Sequence, residues 1–280
     1  MRRHSNPFVA AFITGLTFIL VSTCAQAKLF VPDSELWAIW NVADESSTAT
    51  IDHGDWQQVL DAYLVTAGTD GINRFDYANI TDGDRARLKG YIEQLAAIDP
   101  RTYPRTEQRA YWINLYNALT VDVVLQYYPV TSIRDIEGGL LGSGPWKKQL
   151  VEVAGQPLTL NDIEHRILRP IWRDPRTHYA VNCASLGCPN LAARAYTAAD
   201  IDSLLDEAAR AYINHPRGVA FENGRLTLSS IYNWFDVDFG ESDSAVLEHL
   251  ARYAEPELSG RLAGYDGRIR YHYDWRLNRP

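Results

Sequence analysis

The chain has 280 residues, with 27 Lys and Arg against 35 Asp and Glu and a formal net charge of −8. That balance lacks the basic footprint that sequence-independent nucleic-acid binding requires, so no nucleic-acid partner is expected. The length suffices for a large core in one domain or two closely packed ones, and 8 Trp with 16 Tyr supply core residues with a minority left to line a groove for sugars or peptides.

The first element in chain order reads as an export signal. Arg2 and Arg3 precede "NPFVAAFITGLTFILVSTC" and then "AQA". A basic start, an apolar run and a small-x-small site predict secretion with cleavage after Ala27. The run is short for a membrane span and Pro7 opens it. A retained anchor and lipid attachment at Cys24, behind a poor lipobox, are the alternatives. Loss of residues 1–27 removes Arg2 and Arg3 and no acid, moving the net charge from −8 to −10. No second long apolar run follows, so the mature chain is expected to be soluble, periplasmic or secreted, without a stable membrane span. Residues 28–74 read as an N-terminal helical extension and residues 75–280 as the main domain.

Within the extension, "SELWAIWNV" has helical character, and "DWQQVLDAYLV" places Trp56, Val59, Leu60 and Leu64 on one helical face. "TAGTDGINRFDY" is a turn or short strand. "DGDRARLKGYIEQLAAID" is an amphipathic helix with Leu88, Tyr91, Ile92 and Leu95 inward. The longest helical run is "TEQRAYWINLYNALTVDVVLQYYP", with Thr106 as a cap and Pro129 as its stop. Its apolar residues go nearly all the way round, which marks a central, buried helix. Asn114 and Asn117 fall within the buried arc, so their amides need partners, in a polar cluster or on a neighbouring backbone.

"EGGLLGSGPW" is glycine-rich but lacks a phosphate-binding pattern. "KKQLVEVAGQPLTL" reads as two short strands around Gly155 and Pro157. "TLNDIEHRILRP" is a helix opened by a Thr159–Asp162 capping box. Its stripe is Leu160, Ile163, Ile167 and Leu168, with Glu164 inside it, His165 at the edge, and Arg166 and Arg169 outside. An ionised Glu164 there needs a partner. "THYAVNCAS" alternates like a strand, placing His178 and Cys183 on opposite faces. "DIDSLLDEAARAYIN" is a helix, "GVAFENGRLTLSSIYNWF" a hairpin at Asn223-Gly224 followed by a helix that Ser229 caps, "AVLEHLARYA" a helix and "RIRYHYDW" a closing strand. The whole is a helix-rich α+β domain with a long buried central helix packed on a small, mostly antiparallel sheet. His53 and His249 read as surface or boundary residues, and His272 as part of the closing strand. Asp236 and Asp238 read as a turn pair able to approach a cation.

"YWINLYNALTV", "LTLNDIEHRILR", "HYAVNCASLGCPNL", "LSSIYNWFDVDF" and "YDWRLN" occur in that order. Together they resemble the bacterial and plant family catalogued as domain of unknown function 547, over roughly residues 75 to 278. The resemblance implies the family's fold and an exported bacterial protein, and no established activity. It carries over, as candidate positions, Asn114, Asn117, Glu164, His165, His178, Asn182, Cys183, Ser185 and Cys188.

Cys183 and Cys188 admit four readings. Export to an oxidising compartment favours a structural disulfide closing a tight loop. A nucleophilic Cys183 needs a base; strand parity turns His178 away, whereas His165 arrives on a helix with Glu164 behind it. Asn114, Asn117 or Asn182 would orient the imidazole or stabilise an oxyanion. That assembly would be a Cys/His hydrolase or acyltransferase for peptide or cell-envelope material. A central helix followed by a His-bearing strand is similar to papain and transglutaminase-like enzymes, but their Cys opens the central helix, and "AYWINLYNA" has none. Zinc binding fits poorly with the C-x4-C spacing. A redox role lacks the C-x-x-C spacing and a surrounding βαβ unit. No cofactor or metal is expected. The alternative to an enzyme is a non-catalytic envelope binding module for a peptide or glycan, stapled by Cys183–Cys188.

Overall fold

The computed structural model describes residues 32–66, 68–137 and 144–280. The predicted export signal and most of the glycine-rich loop lie outside the described residues.

Helix α1 (Gly54–Tyr63) buries Trp56, Val59 and Leu60. Helix α2 (Asp82–Ala96) is capped by the Thr81 hydroxyl, which accepts from the Asp84 N–H at 3.1 Å. The central helix α3 (Arg105–Tyr127) starts one residue before Thr106, behind Pro104, and buries every residue from Glu107 to Val121. It stops where Tyr128 turns extended ahead of Pro129, because a proline's ring disfavours the helical conformation in the residue before it. Its main neighbours are α2, a helical run over residues 160–172 and helix α6 (Ile201–Ile213). The same core takes in Trp40, Trp56, Val59 and Leu60 from the N-terminal segment and Leu277 from the C-terminal one. A second apolar cluster gathers Tyr179, Tyr212, Tyr232 and Phe239.

The strands form three small sheets: β1 (Leu64–Val65) with β2 (Arg74–Phe75), β3 (Val151–Val153) with β4 (Gln156–Leu158), and β5 (Val219–Glu222), β6 (Arg225–Ser229) and β7 (Arg270–His272). The β5–β6 turn is Asn223-Gly224, both at positive φ, as a two-residue hairpin of matching twist demands. β7 runs parallel to β6, whereas the other pairs are antiparallel. The domain is a helix-rich α+β fold.

The helical run 160–172, here α4, is opened by the expected box: Thr159 Oγ1 accepts from the Asp162 N–H, and Asp162 Oδ2 accepts from the Thr159 N–H. It is π-helical over Asp162–Leu168 and α-helical over Arg169–Trp172. The wider turn changes which residues face inward. His165 and Arg169, at and beyond the edge of a regular helical stripe, are both only 4% exposed. Pro170 brings no N–H to this helix. The carbonyls of His165 and Arg166, one turn back, instead accept from the Glu35 and Trp37 N–H groups at 3.0 and 2.9 Å. Residues 32–40 are thereby laid across α4, with Arg166 over the Trp37 ring at 4.2 Å. The helix expected in this segment shortens to one 3-10 turn, Ala38–Trp40.

The strand expected over 177–183 is absent. Thr177–Ala180 is a single helical turn, α5, and extended backbone begins at Val181. Parity along a strand therefore does not govern His178 and Cys183. His53 and His249 are also buried, each 5% exposed, and each meets a tyrosine hydroxyl: Tyr91 at 2.7 Å and Tyr179 at 2.9 Å. The remaining helices are α7 (Ile231–Trp234), α8 (Asp243–Tyr253) and α9 (Pro256–Ala263).

Candidate functional site

The sequence-predicted residues collect into two hydrogen-bonded clusters with the central helix behind both. The first is charged. Asp238, in the turn Asp236–Phe239, accepts from His178 Nε2–H and from Arg169 Nε–H, each at 2.6 Å. These two donors outweigh burial and hold the Asp238 carboxyl at about 2. A second Arg169 N–H donates to His165 Nδ1 at 3.1 Å. A guanidinium has no acceptor, so this contact fixes His165 as the neutral tautomer protonated on Nε2. Burial first, then the positive charge of Arg169, carries the His165 pKa down to about 4. Glu164 Oε1 lies 3.8 Å from His178 Nδ1 and 4.0 Å from His165 Nδ1, and Oε2 accepts from Tyr116 O–H on α3 at 2.9 Å. Phe235 stacks on His178 with centroids 4.3 Å apart and an 18° tilt. Every charge here has a partner inside the fold.

The second cluster is built on sulfur. Cys183 is partly exposed and Cys188 is buried at 3%; both are free thiols in this structure. The Tyr273 hydroxyl stands 3.1 Å from Cys183 Sγ and donates to Cys188 Sγ at 3.2 Å. The Cys183 N–H points at Cys188 Sγ from 2.9 Å. Burial resists ionisation of Cys188, but hydrogen bonds from the Cys183 thiol, Tyr273 O–H and the backbone N–H groups of Cys183 and Ser185 converge on its sulfur and carry its pKa below the ordinary thiol value. Cys183, as the donor to Cys188, and through burial, is pushed well above it. The two thiols thus titrate as a pair that loses its first proton easily and its second with difficulty. Tyr273 is held well above the usual phenol range by burial and by the neighbouring sulfurs, so it stays a donor.

The loop that presents the sulfurs is fastened at both ends. Asn182 Oδ1 accepts from the Ala184 N–H at 2.8 Å, and its Nδ2 donates to the Pro189 carbonyl at 2.7 Å. The backbone of Asn182 donates to Asn117 Oδ1, and Asn117 Nδ2 donates to the Ala180 carbonyl. Asn114 clasps the backbone of Tyr196 in the same two-way manner. Both central-helix amides are therefore spent on backbone; Asn117 positions the cysteine loop, and Asn114 a segment beyond it. Ala184 takes a left-handed φ of +58°, a conformation that costs a non-glycine residue about 1–3 kcal/mol. From the other side, residues 273–278 zip onto the loop: Gly187 N–H donates to the Asp274 carbonyl and Leu186 N–H to the Arg276 carbonyl, each at 2.8 Å. Position 187 must be glycine, because a Cβ there would meet the Asp274 nitrogen at 2.7 Å.

Back-to-back rings separate the clusters. Phe235 faces His178, and its neighbour Trp234 packs on Tyr273 with centroids 4.8 Å apart. Among the described residues no hydrogen bond joins an imidazole to either sulfur; the sulfurs' side-chain partners are Tyr273, Ser185 and each other. Tyr116 links the two sites, bonding Glu164 while lying close enough to both sulfurs for their charge to oppose its ionisation. A shallow, open groove of about 500 Å³ is lined by Thr131, Ser132 and the segment His272–Arg276; neither cysteine lines it. Tyr273 belongs both to its wall and to the sulfur cluster. Among the described residues no group of three or more His, Cys, Asp or Glu side chains is placed to hold a metal ion, and no helix is long and apolar enough to cross a membrane.

Residues 100–213 match a family model described as "Protein of unknown function, DUF547". Over this segment the chain is similar to that family, the one its motifs resemble. No curated protein and no solved structure matches the chain. The DUF547 segment holds Asn114, Asn117, Glu164, His165, His178, Cys183 and Cys188. The residues that complete its two clusters, Asp238 and Tyr273, lie beyond the matched segment. Sequence reasoning missed Tyr273 although it stands immediately before "DWRLN"; an aromatic in a strand reads as core. It also placed Arg169 on the outside, because a regular helical plot cannot register a π turn.

Proposed function

We propose that the loop Asn182–Cys188 is the site of a thiol-dependent hydrolase or acyltransferase acting on peptide or cell-envelope material. The observation that supports it is the hydrogen-bonded trio of Cys183, the more exposed residue of the pair, with Cys188 and Tyr273, which also lines an open groove. In this reading the proton shared by the two thiols shifts so that the charge rests on Cys183. The thiolate attacks a carbonyl carbon, a C–S bond forms, and the C–N bond of the amide breaks. The leaving amine takes the proton lost by the thiol pair, passed through Tyr273. Water, or a second amine, then cleaves the thioester and the proton returns to sulfur. Tyr273 here takes the part expected of His165, whose Nδ1 is already committed to Arg169. Export to the periplasm or beyond is part of the proposal and rests on the pattern of residues 1–27.

The test is to incubate the reduced chain with acyl thioesters and a panel of envelope-derived peptides and glycopeptides, and to map adducts by mass spectrometry. An acyl group on Cys183, absent in Cys183→Ala and slowed in Tyr273→Phe, is the expected result. An unmodified Cys183 across the panel refutes it. The second reading, a non-catalytic envelope binding module with Cys183–Cys188 as a structural disulfide, is favoured by the closeness of the Cys183 backbone to the Cys188 sulfur. Thiol titration of the native chain, before and after reduction, separates the two: zero free thiols that persist in excess reduced glutathione, and two only after strong reduction, is the signature of a staple.

A further inference from the structure

We propose that Cys183 and Cys188 form a reversible dithiol–disulfide couple that exchanges with a disulfide-bearing peptide or small thiol, Cys183 attacking and Cys188 resolving. The inference goes beyond the acyl-transfer reading, and neither depends on the other.

Three features of the geometry carry it. The sulfurs share one hydroxyl, at 3.1 and 3.2 Å from Tyr273, and the Cys183 thiol donates a hydrogen bond to Cys188. Their access is unequal: Cys183 is partly exposed while Cys188 is 3% exposed, the division of labour that a two-sulfur exchange requires, one sulfur to meet the substrate and one to displace it. The loop is also shaped without any S–S bond, by Asn182 across its base and by the Gly187 and Leu186 N–H groups on the C-terminal segment. The hydrogen bonds that end on Cys188 Sγ, from the Tyr273 O–H and the Cys183 N–H, favour the reduced form, and a couple whose reduced form is stabilised is not locked in the oxidised state. A mere staple would have no use for the Tyr273 hydroxyl.

The steps balance. Cys183 passes its proton to Cys188 and attacks as the thiolate on one sulfur of R–S–S–R′; a Cys183–S–S–R bond forms, the substrate S–S bond breaks, and R′–S⁻ leaves and takes a proton. The Cys188 thiolate then attacks the Cys183 sulfur; the intramolecular disulfide forms and R–S⁻ leaves, taking the second proton. Two protein thiols are oxidised by two electrons and one substrate disulfide is reduced to two thiols.

The experiment equilibrates the full chain in mixtures of oxidised and reduced glutathione, quenches with acid, alkylates, and weighs the products. The expected result is a reversible two-electron transition between the dithiol and the Cys183–Cys188 disulfide. In Cys188→Ser, glutathione should accumulate on Cys183, and in Cys183→Ser its uptake on Cys188 should be at least about tenfold slower, since access governs exchange. A chain that stays dithiol in wholly oxidised glutathione overturns the couple, as does one that stays oxidised in a large excess of reduced glutathione, or equal uptake in the two variants. The wild-type titration needs no substitution, so a variant that fails to fold leaves the test standing. A chain that takes an acyl probe but never forms the disulfide refutes the couple alone. One that cycles with glutathione but takes no acyl probe refutes the acyl-transfer reading alone.

Discussion

The imidazole cluster and the sulfur cluster sit on either side of Trp234-Phe235 and use burial in opposite ways. Around Asp238, itself partly exposed, the buried Arg169 and His178 are each met by its carboxylate, and Arg169 also by the His165 Nδ1 acceptor. Around Tyr273 an uncharged hydroxyl faces two thiols, one of them partly open. A largely buried ionic network is costly to assemble and costlier to break; an uncharged thiol pair is inexpensive to hold. In the proposed reading the first mainly holds the fold and the second does the chemistry.

Acid should produce the largest effect, and on the buried-imidazole side of the comparison. His165, with His53 and His249 elsewhere in the core, is held by burial at about 4, below the unfolded value of about 6.5. The unfolded chain binds more protons throughout that interval, so stability is full above about pH 6.5 and falls as pH drops toward about 4, by up to about 1.4 kcal/mol per pH unit for each histidine. Urea midpoints across that range check this, and His165→Gln should flatten the slope by about one proton. A pH-independent midpoint would mean that these imidazoles are not held neutral.

Asp238→Ala strips Arg169 and His178 of their shared carboxylate and leaves a buried guanidinium unpaired. A loss of about 3–5 kcal/mol is expected in chemical denaturation. Gly187→Ala forces the Asp274 backbone off the loop; a cost of about 1–3 kcal/mol is expected, together with faster alkylation of the thiols as Tyr273 withdraws. The smallest effect on stability, about 1 kcal/mol, belongs to Tyr273→Phe. Its larger readout is the pH profile of alkylation: with a donor to Cys188 gone, the first thiol ionisation should move up toward the ordinary value. An unchanged profile would remove Tyr273 from the site.

Much of the frame was legible because it rests on local rules. The all-round apolar run of α3, the Thr159–Asp162 box and the Asn223-Gly224 turn are each dictated by residues within a few positions of one another. The site was legible as a collection of residues but not as a wiring diagram. Asn117 and Asn182 do meet, yet through backbone, and no periodicity reveals whether an amide faces a ligand or a peptide group. "THYAVNCAS" alternates as a strand does, but four of its residues close a helical turn, because Thr177, His178, Tyr179 and Ala180 are all buried and alternation ceases to matter when both faces are covered. The pairing of Cys183 with Tyr273 spans 90 positions, a distance at which sequence pattern carries no signal.

The proline inside α4 has one more outcome. Around the one donor it lacks, the His165 and Arg166 carbonyls accept instead from Glu35 and Trp37, 130 and 129 positions earlier. The helix that bears Glu164 and His165 is thus splinted by the front of the chain and cannot be finished by its own neighbours. A fragment beginning after residue 40 would expose that unmended turn to solvent or strand it dry, at about 1–3 kcal/mol for each orphaned group, so the integrity of the acid–imidazole nest is written partly into residues that never touch it with a side chain.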